Sequence, residues 1–228
     1  MPSLEENKKI GLLGGTFDPV HNGHLAVANH VQKVLGLGAI WFIPAAQPPH
    51  KAGHADLQDI SSFAHRFAML KRAVAHEKSF VVSDIEAKRT APSFSIDTIK
   101  ILLRLSAERV DFSFIIGIDA FLDIATWKRY TELPTLVNFI IISRPGYSPE
   151  KVARIISRNY PDFTIDQSAE IWSSPHCKGT FSLLHMEPVP ISSTEIREKV
   201  RKGEDVSEMV PSPVETYIRE QKLYTSHS

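Results

Sequence analysis

Between Gly14 and His24 the chain reads Gly14-Gly15-Thr16-Phe17-Asp18-Pro19-Val20-His21-Asn22-Gly23-His24, which combines a glycine pair, an Asp-Pro turn and two imidazoles three positions apart. The apolar stretch Ile10-Gly11-Leu12-Leu13 precedes it, and helical periodicity begins at Leu25 and runs through Ala28, Val31, Val34 and Leu35. This is a strand, a tight turn and a helix in succession, with His21 and His24 at the helix mouth. The first N–H groups and the dipole of a helix favour anions there. Gly14 and Gly15 let the backbone approach a ligand without a Cβ in the way. The chemistry this predicts is capture of a polyphosphate. An ordinary corner with incidental histidines is the alternative, since Asp, Pro and Gly are common turn residues. No Gly-Lys-Ser/Thr follows, so this is not a Walker loop, and the G-x-G-x-x-G spacing of dinucleotide folds is absent.

A second constellation, Ile191-Ser192-Ser193-Thr194-Glu195-Ile196-Arg197, follows Pro190 at the start of a predicted helix. Its hydroxyls and first N–H groups can bind phosphate oxygens, and Arg197, one turn on, can add charge-assisted hydrogen bonds. Simple capping is the alternative. Three further segments fall where strands are predicted to end. Pro48-Pro49-His50-Lys51 is a stiffened basic loop; Ser93-Phe94-Ser95-Ile96-Asp97-Thr98 opens a helix that would welcome a carboxylate. Gly117-Ile118-Asp119 places a carboxylate suited to ribose hydroxyls, or to a helix cap, after the most apolar strand. Trp127 offers a flat ring for stacking or for the core, and Arg144 ends the next strand. His176 beside Cys177 is a weak metal pair, because adjacent residues seldom coordinate alone.

Strands and helices must alternate to position these groups. Buried strands are predicted at Ala39 to Pro44, Phe80 to Val82, Phe112 to Ile118, Asn138 to Ser143 and Phe181 to Leu184. Helices are predicted around Phe63 to Val74, Thr98 to Leu105, Ser148 to Tyr160, Thr194 to Lys202 and Val214 to Leu223. The segment from Asp162 to Thr180 shows no period and is expected to be an irregular excursion. This alternation predicts an α/β fold with a doubly wound, mostly parallel sheet, binding ligands at strand C-terminal ends, followed by a small C-terminal helical part. A single domain spanning 1–228 is expected, with a flexible N-terminus at 1–8 and residues 191–228 as that helical part. With 26 Lys+Arg against 26 Asp+Glu there is no bulk charge for nucleic acid or an anionic membrane, so any phosphate binding is local. One cysteine excludes an internal disulfide, and no apolar run reaches membrane-spanning length, so a cytoplasmic protein is expected. A homo-oligomer is left open.

The first motif resembles the H-x-G-H signature of the nucleotidyltransferase superfamily, and Gly-Gly-Thr-Phe-Asp-Pro-Val-His looks most like that of bacterial nicotinate-nucleotide adenylyltransferases. The resemblance extends in order from Gly14 to Arg197. It implies adenylyl transfer from ATP to nicotinate mononucleotide, giving deamido-NAD and pyrophosphate, with Mg²⁺ on the ATP phosphates and no protein side chain assigned to the metal. His21, His24 and Arg197 would be catalytic. ATP would be bound by Gly14, Gly15, Thr16, Phe17, His21, His24, Gly117, Asp119, Ile191, Ser192, Ser193 and Arg197. The mononucleotide would meet His50, Lys51, Ser95, Ile96 and Trp127. In the family the second of these segments usually reads S-Y-T; here Phe94 replaces the tyrosine and Ser95 keeps the hydroxyl. Rival readings are a nicotinamide-mononucleotide or phosphopantetheine adenylyltransferase, a class I tRNA synthetase, which would need a K-M-S-K-S-like loop not found here, and a nucleotide sensor without turnover.

Overall fold

The computed structural model describes residues 8–47, 60–89, 92–106, 110–143, 148–166, 170–187 and 189–225. Along the chain β1 (Lys8–Gly15), α1 (Asn22–Leu35), β2 (Ala39–Pro44), α2 (Phe63–Ala73), β3 (Phe80–Val82), α3 (Ser95–Leu105) and β4 (Val110–Gly117) come first. They are followed by α4 (Ile118–Leu122), α5 (Leu133–Leu136), β5 (Asn138–Ser143), α6 (Pro149–Asn159), β6 (Thr164–Asp166), β7 (Ile171–Ser173), β8 (Phe181–His185), α7 (Ser193–Lys202) and α8 (Ser212–Glu220). The sheet order is β3-β2-β1-β4-β5-β8-β7-β6. The pairs β1–β4, β4–β5 and β5–β8 are parallel, and β8–β7 and β7–β6 antiparallel. β4 and β5 are buried along almost their whole length, which explains the apolar runs Phe114-Ile115-Ile116 and Phe139-Ile140-Ile141-Ile142: a parallel strand covered on both faces has no polar side. Strand order turns over between β1 and β4, which pair directly, and such a switch is where open α/β sheets take ligands.

The chain divides into two compact units: Met1–Gly14, His30–Ile40 and Phe94–Pro188 form the first, and Gly15–Asn29, Trp41–Ser93 and Val189–Ser228 the second. The first has an aromatic core in which the Tyr160 and Phe163 rings lie 4.8 and 5.0 Å from that of Phe181. Burial there pushes the Tyr160 phenol well above its ordinary pKa. In the second, α2 packs against α8, with the Arg72 guanidinium 4.2 Å above the Tyr217 ring and the Tyr217 hydroxyl hydrogen-bonded to His65 Nδ1 at 3.0 Å.

The doubly wound, mostly parallel architecture is as expected; several local boundaries are not, among them β4, which begins at Val110, and α8, which runs from Ser212 to Glu220. The supposedly irregular segment from Asp162 to Thr180 contributes two antiparallel strands, β6 and β7, each three residues long and so too short to display a period. α3 opens at Ser95 rather than Thr98, since the chain is still extended at Phe94 (φ −80°, ψ 127°) and turns helical immediately after. Ile118, expected to end a strand, begins α4. Among the described residues no helix is long and apolar enough to cross a membrane.

Candidate active site

In the second unit the loop from Thr16 to His21 leads into α1. Phe17 occupies the left-handed region (φ 53°), at about 1 kcal/mol of strain for a residue with a Cβ, and its ring is only 2% exposed. That ring meets His24 edge-on at 4.9 Å, and the His21 and His24 rings stack at 3.7 Å. The His21 N–H donates to His24 Nδ1 at 3.3 Å. An imidazole accepting at Nδ1 carries its proton on Nε2 when neutral, so this bond favours the tautomer in which His24 Nε2 donates. The glycines serve this packing. A Cβ on Gly15 would come within 3.0 Å of the Phe17 ring, and one on Gly23 within 3.0 Å of His21 Nδ1. A Cβ on Gly14 would make only an ordinary 3.7 Å contact with Phe114, so its lack of a side chain is not demanded by the protein's own packing.

The helix mouth is less open than its sequence suggests. The Asn22 N–H donates to Met209 O at 2.9 Å, and the His24 and Leu25 N–H groups both donate to His21 O. Side chains, rather than these amides, are left as the donors for an anion.

The second constellation converges on the same loop. Ser192 caps α7 by accepting the Glu195 N–H at 3.1 Å, and Ser193 donates its hydroxyl to Pro19 O at 2.9 Å. Arg197 donates from Nη1 to Asp18 O at 2.8 Å and from Nη2 to the Thr194 hydroxyl at 3.4 Å. Capping and phosphate binding were alternatives for this motif; Ser192 does cap, while Arg197 is drawn to the histidine loop with other guanidinium donors remaining. Ile191 is half-buried, its N–H donating to Val189 O at 2.8 Å.

Three residues at this loop had no predicted role. Asp18 is 1% exposed, and its carboxylate accepts the Ser61 N–H at 3.1 Å and the Tyr224 hydroxyl at 2.7 Å. Arg66, 2% exposed, donates to Thr16 O at 2.8 Å and Ser61 O at 3.0 Å. Burial lowers the Arg66 pKa from its ordinary value, and the nearby Asp18 charge opposes that shift. A signal for Arg66 exists in the sequence: it lies on the apolar stripe of Phe63, Phe67 and Leu70, where a solvated arginine would not belong. Asp18 was legible only as a turn residue, and Tyr224 lies past any periodic segment.

Gly117, Asp119, Ser95, Ile96 and Trp127 belong to the first unit. Gly117 stands at the N-cap of α4 without a side-chain cap bond, and Asp119 is exposed in the first turn, not the cap. Ser95 and Ile96 are the first two residues of α3, whose N–H groups find no acceptor within a helix. Ile96 itself is 1% exposed, so its side chain belongs to the core. Neither Ser95 nor Ser93 caps α3; Ser93 instead accepts the Gln47 N–H at 3.0 Å within the second unit. Trp127 is half-buried, its ring edge-on to Phe114 at 5.8 Å. Lys128, which carried no predicted role, sits 4.8 Å above the Phe94 ring and pairs with Asp97 at 2.9 Å. His50, Lys51 and Arg144 lie outside the described residues, as does the expected flexible start up to residue 7. Among the described residues no group of three or more His, Cys, Asp or Glu side chains could hold a metal ion.

A glycine-rich loop carrying two stacked histidines on a mostly parallel α/β sheet is the arrangement of a nucleotide-handling enzyme, and known proteins agree. The pattern of the cytidylyltransferase-like family matches residues 12–199. A Geotalea daltonii protein named probable nicotinate-nucleotide adenylyltransferase is 39% identical over 219 residues, covering 95% of this chain and 98% of that one. A Geobacter sp. protein of the same name is 40% identical over 220 residues, with 95% and 98% covered. The solved Plasmodium falciparum nicotinic acid mononucleotide adenylyltransferase complexed with NaAD has a TM-score of 0.72 at 21% identity, covering 96% of this chain and 98% of that chain; at that identity the likeness concerns the fold. The chain belongs to the cytidylyltransferase-like family, in its nicotinate-nucleotide adenylyltransferase branch.

Proposed function

We propose that this chain transfers the adenylyl group of ATP to nicotinate mononucleotide, forming deamido-NAD and pyrophosphate, and that its second unit grips the ATP phosphates. The meeting of Arg197 and the start of α7 with the His21–His24 loop supports this most strongly. The phosphate of the mononucleotide, largely dianionic at neutral pH, attacks the α-phosphorus of ATP while the bond to the bridging oxygen of pyrophosphate breaks. The nucleophile already carries its charge, so no strong general base is required. His24, presenting Nε2–H, and Arg197 stabilise charge on the departing pyrophosphate, and His21 orients His24 through their stacked rings. Gly14, Gly15, Thr16, Phe17, Ile191, Ser192 and Ser193 shape the phosphate site. Thr16 and Ser193 act through the loop bonds described above, and Ser192 by holding α7 in place.

Gly117 and Asp119 receive the ATP ribose. The first N–H groups of α3 at Ser95 and Ile96 receive the nicotinate carboxylate, and Trp127 packs on the pyridine ring. His50 and Lys51 neutralise the mononucleotide phosphate. Imidazole, guanidinium and hydroxyl donors suit polyphosphate rather than a bare cation, so Mg²⁺ would arrive on ATP, held by phosphate oxygens and water. It would supply charge neutralisation. The chain acts as a single nucleotidyltransferase domain in the cytoplasm.

Pyrophosphate release measured with ATP and, in turn, nicotinate mononucleotide, nicotinamide mononucleotide and phosphopantetheine tests the reading. The acid should turn over fastest. Equal turnover of acid and amide would make the enzyme dual-specific, and no release with any acceptor would leave a nucleotide-binding module.

A further inference from the structure

The last turn of the chain reaches back to the loop that carries the histidines. After α8, the Lys222 and Leu223 N–H groups donate to Arg219 O at 3.2 Å and Ile218 O at 3.0 Å. Lys222 and Tyr224 then adopt left-handed backbone (φ 51° and 62°). Two residues with side chains in that region are strained unless something holds them. What holds Tyr224 is its hydroxyl, which donates to Asp18 Oδ1 at 2.7 Å. Burial, and then the Asp18 charge, push this phenol above its ordinary pKa, so it stays a donor at neutral pH.

Asp18 is the junction of the loop. Its carboxylate faces Tyr224 and the Ser61 N–H, while its carbonyl accepts Arg197. Its neighbour Phe17 packs on His24, and its neighbour Pro19 accepts Ser193. Turning Asp18 therefore displaces an imidazole contact on one side and the guanidinium on the other. With Asp18 almost fully buried, withdrawing the phenol takes the donor from Oδ1 and leaves the carboxylate held by the Ser61 N–H at Oδ2.

We infer that Tyr224 is a positioning residue for adenylyl transfer: its hydroxyl fixes the Asp18 carboxylate, and through Asp18 sets both the histidine loop and Arg197 in their reactive geometry. The inference deepens the proposed function and rests on it. Tyr224 touches no substrate in this scheme.

The test compares Tyr224→Phe with Tyr217→Phe in the full chain. Each deletes one hydroxyl near the C-terminus, but the Tyr217 hydroxyl bonds to His65, whereas that of Tyr224 bonds to Asp18 of the loop and to the Ser61 side chain. With ATP and nicotinate mononucleotide saturating, Tyr224→Phe should lower kcat by on the order of tenfold, the scale of a small misplacement of reacting groups, with a smaller change in either KM. Tyr217→Phe should keep kcat at comparable melting temperature. Asp18→Asn should lower kcat as well, and the double variant with Tyr224→Phe should be no slower than Asp18→Asn alone, as for two groups acting in series. A Tyr224→Phe enzyme within about twofold of the wild-type kcat would overturn the inference. So would equal losses in both tyrosine variants that track their melting temperatures. A wild-type chain that releases no pyrophosphate would overturn the functional reading and this inference with it, whereas an active wild type with an unimpaired Tyr224→Phe would overturn the inference alone.

Discussion

Two strand-to-helix corners, after β1 and after β4, carry groups proposed for ATP, and they are built in opposite ways. After β4 the chain passes from Gly117 straight into α4, anchored by Ile118 at 0% exposure, with no side-chain cap and with Asp119 held out to solvent. After β1 the chain runs through six residues before α1. Thr16 O, Asp18 O, Pro19 O and the Asp18 carboxylate there receive donors from residues between 43 and 206 positions away. The first kind of corner is positioned by apolar packing, with Ile118 and Phe121 fully buried. The second has its shape imposed from outside, which suits a loop that must hold two stacked imidazoles and a strained Phe17 in one arrangement.

Substitutions can break or sharpen that contrast. His24→Ala in the imposed corner should reduce kcat by ~10²–10³, the range for removing a donor aimed at developing charge, with little change in mononucleotide KM. An unchanged kcat would remove His24 from the catalytic set. Next, Asp18→Ala should lower unfolding free energy by roughly 3 kcal/mol in a denaturant titration. It removes the acceptor of the Tyr224 hydroxyl and of the Ser61 N–H, and one of the carboxylate charges that favour the buried Arg66 cation. The matched change in the self-supported corner, Asp119→Ala, should shift stability by no more than about 0.5 kcal/mol while raising the ATP KM by on the order of tenfold. Equal destabilisation by the two aspartate variants would erase the distinction between the corners.

The smallest effect is alkaline. Tyr160 and Tyr224 both have folded pKa values raised above the ordinary 10, chiefly by burial. A raised folded pKa contributes stability that is complete below the unfolded value and is lost as pH rises, because the unfolded phenol sheds its proton while the folded one keeps it. Stability should therefore fall above about pH 10, and Tyr224→Phe should flatten that fall by about 1.4 kcal/mol per pH unit. An unaltered slope would mean that the phenol ionises equally well in the folded protein.

Much of this was readable in advance. β5 and the parallel sheet follow from apolar runs alternating with helical patterns, and α7 begins at the serine pair as its capping chemistry predicts. β6 and β7 escaped because three residues hold no period. Arg66 could have been found as a cation on an apolar stripe. Tyr224 could not, since nothing local distinguishes a tyrosine whose partner is 206 residues away. The meaning of the glycines also shifted: Gly15 and Gly23 make room for the Phe17 and His21 rings of the protein itself.

Sequence alone determined which chemistry was available and which elements would present it, because strand and helix periods and the placement of histidine, serine and arginine beside helix starts are local properties. Tertiary structure decided how the histidine loop is held. A loop has no internal ladder of hydrogen bonds, so its carbonyls and its one buried carboxylate take their donors from distant segments, and those partners exist only once the chain has folded.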